Sequence, residues 1–337
     1  MNNIIGIGNA ICDILVKVED DFFEQISYEK SSMSLISYEE ANKLLDLIAA
    51  NNYNYKISSG GSVANTIALL STLNVKTSLI GNVSDDFYGN KFIKDIEKSG
   101  VNFLNYHNEQ DKNSAKCIVL VSNDGERTLC TYLGCSSFMN LDNNKSLEIF
   151  QNQNFAYFEG YLFDNANTSK EILNLINNKL NSKLILSLSD KGCIERNREA
   201  IENFIKKTHT LIGNESEFCE LLGINEINKN NVSAANKIFE NNNFIENIVI
   251  TLNKKGAFFI NKHTIEYITV EQIKNPIDST GAGDAFAAGY IFGLVNNFDS
   301  VKSCKIGNLL AGKVIQHLGA RPNIEEPEIN IEIKKIA

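Results

Sequence analysis

Ala115-Lys-Cys-Ile-Val-Leu-Val-Ser-Asn-Asp-Gly-Glu-Arg-Thr-Leu-Cys-Thr-Tyr-Leu133 holds two apolar runs, Cys117–Val121 and Thr128–Tyr132, around Asn-Asp-Gly. That turn signal between strand-forming runs predicts a β-hairpin, with no helix between its strands. The flanking sequence alternates differently. Ile4–Ile7, Thr77–Ile80, Phe155–Phe158, Leu184–Leu188, Thr210–Ile212 and Ile248–Thr251 read as short buried strands. Helical stretches such as Leu44–Ala50, Ser62–Leu73, with Ser62 as N-cap, and Asp86–Ser99, stopped by Gly100, separate several of them. Strand–helix alternation predicts an α/β protein with a largely parallel sheet covered by helices and joined by right-handed crossovers. The hairpin, with early strands near Asp13 and Met33, then reads as a small β-sheet lid, about 12–38 and 114–135, inserted into one domain spanning 1–337.

Composition narrows the function. A chain of 337 residues with 43% hydrophobic and 22% charged residues can build a large core without staples. The net charge of −9 argues against a nucleic-acid partner, which needs a basic face. Backbone amides can still hold a small anion. Seven scattered cysteines form no C-x-x-C pair and read as small buried hydrophobes in a reducing cytoplasm. Asp13 interrupts the apolar N-terminus, which has no basic leader, so it does not read as a signal peptide. The longest apolar run, Ala285–Val295, is too short for a membrane span, and no membrane partner is expected.

Three glycine-bearing segments carry the chemistry. Asp278-Ser-Thr-Gly-Ala-Gly-Asp284 precedes an apolar helix; Gly281 and Gly283 let successive amides converge at the positive end of the helix dipole. A carboxylate at Asp284 beside such an anion site suits removal of a proton from a hydroxyl that attacks phosphorus. Gly60-Gly61-Ser62, with Asn65 one turn on, permits close approach of a ligand and offers a hydrogen bond to a hydroxyl. Gly6-Ile-Gly8-Asn9-Ala-Ile-Cys-Asp13 lacks the third glycine of a dinucleotide fingerprint and continues as β, so Asp13 reads as a ligand for a polyol. Asn214-Glu-Ser-Glu217 follows a strand, where two carboxylates suit a hydrated Mg²⁺ or merely begin a helix. Gly307–Lys313 mimics a P-loop, but Val314 stands where Ser or Thr must hold Mg²⁺. Arg127 on the hairpin turn either reaches a phosphate when a lid closes or is simply solvated, and the four histidines, His107, His209, His263 and His317, suggest surface or core roles.

Taken together, the order G-N-A-I-C-D, G-G-S-V-A-N-T, S-D-D-F-Y-G, N-E-S-E, D-S-T-G-A-G-D, G-A-R-P resembles the ribokinase-like (PfkB) family of carbohydrate and nucleoside kinases, from Gly6 to about Pro322. Asn9–Asp13, Gly60-Gly61-Ser62 with Asn65, Arg127, and Glu159-Gly-Tyr161 look most like its adenosine-kinase-like bacterial branch. The resemblance implies a doubly wound α/β core with a β lid and ATP-dependent phosphorylation of a primary hydroxyl. It implies Asp284 as base and Gly281, Ala282 and Gly283 as anion hole. The acceptor residues it implies are Asn9, Asp13, Gly60, Gly61, Asn65, Arg127, Glu159 and Tyr161. Asn214, Thr251, Gly256, Gly281 and Asn308 fall at ATP positions and Glu217 at a Mg²⁺ position. Asp278 falls where many members bind a monovalent cation, which leaves K⁺ dependence open. A nucleoside, adenosine first, is the expected acceptor, with ribose or fructose as the alternative. Aromatic faces in Phe155–Phe163, with Leu133 and Phe138, would receive the base. Exposed lid edges leave a homodimer through the lid open.

Overall fold

In the computed structural model, residues 3–105, 113–139, 141, 144–177, 181–274, 276–321 and 326–336 are described. Their strands form two sheets. The larger contains β1 (Asn3–Ile7), β5 (Lys76–Gly81), β6 (Asn102–Asn105), β9 (Phe155–Glu159), β10 (Lys183–Ser187), β11 (Thr210–Asn214), β12 (Asn247–Thr251), β13 (Ala257–Ile260) and β14 (Ile265–Ile268). Their order is β14-β13-β12-β11-β10-β9-β1-β5-β6. Pairing is parallel from β6 to β12, and antiparallel where β13 and β14 close one edge. The smaller sheet contains β2 (Ile11–Lys17), β3 (Met33–Leu35), β4 (Tyr55–Gly60), β7 (Ala115–Val121) and β8 (Arg127–Tyr132), ordered β3-β8-β7-β2-β4.

The helices are α1 (Tyr38–Ala50), α2 (Ser62–Thr72), α3 (Phe87–Lys98), α4 (Asn144–Gln151), α5 (Ala166–Asn177), α6 (Lys191–Ile205), α7 (Glu215–Leu222), α8 (Asn236–Glu240), α9 (Ala282–Val295), α10 (Ser300–Val314) and α11 (Glu326–Ile336). Strand alternation sorts the core. Ile4 joins one apolar layer with α2, α9 and α10, while Ile5 and Ile7 join the other with α5 and α6. A third cluster, including Ile14, Val16, Ile118 and Leu120, seals the small sheet onto α1. Helix α9 is apolar all round because it is buried between α2 and α10.

The doubly wound reading therefore holds, and the hairpin's two strands pair as expected. Two expectations change. The small sheet's first segment runs on to Gly60, because β4 pairs with β2; its sequence, Tyr-Lys-Ile-Ser-Ser-Gly, carries too little apolar periodicity to read as a strand. Ser62 does not cap α2: Gly61 stands at that position with φ 93°, and the Ser62 hydroxyl turns to Asp284 instead. All seven cysteines are free, and all but the half-buried Cys219 are buried. His209 is buried against Thr210 and Glu246, His263 and His317 are exposed, and His107 lies outside the described residues.

Candidate active site

The chemistry gathers at the carboxyl ends of the parallel strands, where the small sheet leans over the large one. Helix α9 begins after Gly281, whose φ of 74° is left-handed and whose Cα is backed by Ala320, leaving no room for a side chain. No side chain caps this helix end, and the space beside the Cα of Gly283 is open. Uncapped amides at a helix start are an anion site. Asp284, half-buried in the first turn, accepts from Ser62 Oγ at 2.7 Å and from Asn65 Nδ2 at 2.8 Å. Burial raises its carboxyl above the ordinary range, opposed by those two donors and by the nearby Arg321.

Asp13 lies on β2, its carboxylate against the Cα of Gly60. Among the described residues no hydrogen-bond donor meets it. It faces a cavity of about 80 Å³ lined also by Leu15, Val119, Arg127, Thr280 and Arg321. Burial pushes its carboxyl up to about 7, against the pull of Arg321 and with a further push from Asp284. An unpartnered carboxylate in a cavity is available to a ligand hydroxyl.

Other expected acceptor residues serve the frame. Glu159 is 1% exposed; its oxygens accept from Asn9 N at 2.8 Å and Val63 N at 2.9 Å. It thereby ties the loop after β1 to the first turn of α2. Desolvation raises its carboxyl to about 7. Asn9 is buried, and its side-chain oxygen has no partner among the described residues. Gly61 packs its Cα against the Asn9 carbonyl, holding the two loops in contact. Tyr161 packs against the second apolar layer with Asp190 close by, on the far side of β9 from α2 and α9. The rings of Phe155, Tyr157, Phe158 and Phe163 are buried core and offer no open face for a base, while Tyr161 is partly buried.

Toward the other edge, Asn214 and Thr251 pair at the ends of β11 and β12. Gly256, φ 106°, makes the turn into β13 with its Cα against the Ile268 carbonyl. Asn308 donates to the Thr269 carbonyl and lines a groove of about 770 Å³ with Lys305, Ile273 and Lys313. Asn214 lines a separate groove of about 680 Å³ with Glu215, Lys191 and Asn253. These residues thus flank one sheet edge rather than share a cavity.

The comparisons with known proteins converge. Residues 27–327 match the model described as pfkB family carbohydrate kinase. The chain belongs to that family. A probable sugar kinase from Rhizobium etli superposes with a TM-score of 0.87 at 27% identity, covering 100% of this chain and 99% of that one. Adenosine kinase from Sinorhizobium meliloti gives 0.86 at 26%, with the same coverage. Adenosine kinase 2 of Arabidopsis thaliana is 23% identical over 344 residues, 97% of each chain. This pfkB kinase uses ATP to phosphorylate a hydroxyl group, as its family does.

Glu217 is 4% exposed and forms a capping box with Asn214. Desolvation, with Asp190 and Asp284 nearby, raises its carboxyl to about 7, so it sits in an acidic zone that a divalent ion would relieve. Among the described residues no group of three ligating side chains could hold a metal. The described residues thus offer no ready-made cage for Mg²⁺, an ion that keeps several waters and commonly enters kinase sites on substrate phosphates. K⁺ at Asp278 does not fit: that carboxylate, 1% exposed, is ion-paired to Arg127 and also accepts from Thr280 N at 2.8 Å and Gly319 N at 2.7 Å. Sequence reasoning assigned no role to Arg321, which enters the site from the loop after α10; its only signal was the G-A-R-P segment.

Proposed function

We propose that this kinase transfers the γ-phosphoryl of Mg-ATP to the primary hydroxyl of a purine nucleoside, adenosine first. One observation carries the reading: the Asp284 carboxylate, in the first turn of an uncapped helix, lies close enough to the unpartnered carboxylate of Asp13 for the two charges to act on each other. Asp284 takes the proton as the acceptor oxygen attacks in line, and the amides of Gly281, Ala282 and Gly283 stabilise charge on the transferring group. A carboxyl raised by burial is a better-matched base than an exposed one. Asp13 holds a sugar hydroxyl, and Asn214, Thr251, Gly256 and Asn308 line the donor side. The five-stranded sheet acts as the lid that excludes water.

A face of that sheet supports a nucleoside over a free sugar. Register puts Leu15, Val119, Leu129, Met33 and Leu35 on the same face as Asp13 and Arg127. Leu35 is 46% exposed. It lines a hollow of about 230 Å³ with Thr131, Leu133 and Phe138. A flat base gains from such an apolar surface, and a bare furanose does not. Relatives described as adenosine kinases along nearly their whole length point the same way. Ribose or fructose remains the second reading, favoured by the relatives described as sugar kinases. Acceptor-dependent ADP release with adenosine, inosine, ribose and fructose decides: a higher kcat/KM for a free sugar overturns the nucleoside assignment and leaves the kinase standing. The outer strands β3 and β4 carry exposed Leu35 and Tyr55, where a second copy would pair, and sedimentation reads that state.

A further inference from the structure

Arg321 has no assigned part in the reaction, yet it occupies the centre of the site. Its Nε donates to Asn65 Oδ1 at 2.7 Å, one terminal nitrogen to Ser59 Oγ at 2.6 Å and the other to the Gly60 carbonyl at 3.2 Å. Asn65 in turn donates its Nδ2 to Asp284 Oδ2 at 2.8 Å. Both ends of that amide are therefore engaged, one by a cation and the other by the base.

We propose that Arg321 is a positioning residue for phosphoryl transfer: it fixes the Asn65 amide that orients Asp284, and it sets the charge around the acceptor cavity. The amide has two orientations related by a flip. The flipped form would turn an NH₂ toward the guanidinium and a carbonyl toward the carboxylate, two repulsive contacts. Arg321 thus decides which way Asn65 points, and Asn65 with Ser62 decides where the Asp284 oxygens lie. A guanidinium fork spans three acceptors in one plane, which an ammonium cannot do. The same side chain lines the cavity beside Asp13. It joins the loop carrying Gly319, which donates to Asp278, to the first turn of α2.

The charges facing Asp284 come from several elements. Burial raises its carboxyl and Arg321 opposes that rise; Asp13 on β2, Glu159 on β9, Glu217 at the start of α7 and Tyr157 on β9, raised first by desolvation, are raised further by the Asp284 charge, and Ser62 and Asn65 on α2 donate to Asp284. Arg321 is the cation in this set. Its removal leaves Asp284 among carboxylates, so the base protonates at higher pH.

This inference rests on Asp284 as the base, and the experiment separates the two. Arg321→Ala and Asp284→Asn are compared with wild type, using whichever acceptor the screen selects, by kcat against pH, melting temperature and binding of a non-hydrolysable ATP analogue. Arg321→Ala is expected to lower kcat about 10- to 10²-fold, the scale of a misplaced reacting group. Its acid limb should move to higher pH, ATP-analogue binding should be kept, and millimolar guanidinium should restore part of the rate. Arg321→Lys, which keeps charge and loses the fork, should lose kcat without moving the limb, and it serves alone where the alanine variant does not fold. An unmoved acid limb in Arg321→Ala, no rescue by guanidinium, or wild-type kcat in Arg321→Lys overturns the positioning role. Wild-type turnover in Asp284→Asn overturns the base instead.

Discussion

Helices α7 and α9 both start at the carboxyl edge of the sheet, and they start in opposite ways. At α7, Asn214 Oδ1 accepts from Glu217 N at 3.0 Å and Glu217 Oε2 accepts from Asn214 N at 2.9 Å. That box satisfies two backbone amides, those of Asn214 and Glu217, from within the chain. At α9 the position before the helix is a glycine with nothing to cap with. The carboxylate three residues on, Asp284, turns sideways to Ser62 and Asn65 rather than back to the amides. A closed end stabilises the fold; an open one leaves its amides to an anion.

Asp284→Asn is the strongest way to break that contrast. Asn keeps the shape and cannot take a proton, so kcat should fall about 10²–10⁴-fold with ATP and acceptor binding retained. Wild-type turnover would show that the open end is not catalytic. Asp13→Ala comes next. Losing a charged hydrogen bond to a hydroxyl costs about 1.5–3 kcal/mol, or roughly 10- to 150-fold in acceptor affinity, with ATP affinity spared. Calorimetry showing equal losses for both ligands contradicts this.

The two glycines of the open end sharpen the comparison. A Cβ on Gly283 meets no atom within 4 Å, whereas one on Gly281 meets Ala320 at 2.6 Å. Gly283→Ala should keep or slightly raise the melting temperature, by the helix preference of Ala over Gly of about 1 kcal/mol. It should still lower kcat, because the methyl intrudes where the transferring group sits. Gly281→Ala should lower both. A Gly283→Ala enzyme with full activity removes the amides from the mechanism. At the closed end, Glu217→Gln should raise the Mg²⁺ concentration for half-maximal rate and change stability by less than about 1 kcal/mol, because the Gln oxygen still accepts from Asn214 N and the box survives. An unmoved Mg²⁺ curve leaves Glu217 as a cap and nothing more.

The fold was legible because its signals are local. Short runs such as Ile4–Ile7 and Leu184–Leu188 are buried on both faces, and the Asn-Asp-Gly turn fixes the hairpin without long-range help. Strand β4 was not legible, since polar Ser58 and Ser59 pair only because β2 lies beside them. Neighbouring glycines single out Asp284 and Asp13 in the sequence. Whether a carboxylate is free or engaged is a tertiary fact, which is why Glu159 read as a ligand although two backbone amides occupy it. Arg321 sits more than 250 positions from Asn65, a separation no motif spacing can bridge.

The smallest expected effect concerns that engaged carboxylate. Glu159, Glu217 and Asp13 are each raised to about 7 in the folded protein, chiefly by desolvation. A carboxyl raised above its unfolded value binds its proton more tightly in the native state, so its contribution to stability is present at low pH and lost as pH rises through about 7. Asp278 works the other way: although desolvation raises its carboxyl, Arg127 and two backbone amides hold it below the ordinary value, so its contribution is lost on acidification below that range. Between pH 5 and 8 the raised groups decide the slope, and the melting temperature of the ligand-free protein should fall by a few degrees, at roughly 2–4 °C per kcal/mol for domains of 150–250 residues. Glu159→Gln keeps one acceptor for Asn9 N or Val63 N and turns an NH₂ toward the other. It should melt lower than wild type at pH 5, where Glu159 is protonated, and show a shallower decline toward pH 8. Calorimetric scans of both proteins across that range are the measurement. A wild-type curve that rises with pH, or parallel curves for the two proteins, would mean that Glu159 titrates as an ordinary carboxyl and that the frame behind Asp284 is held by packing alone.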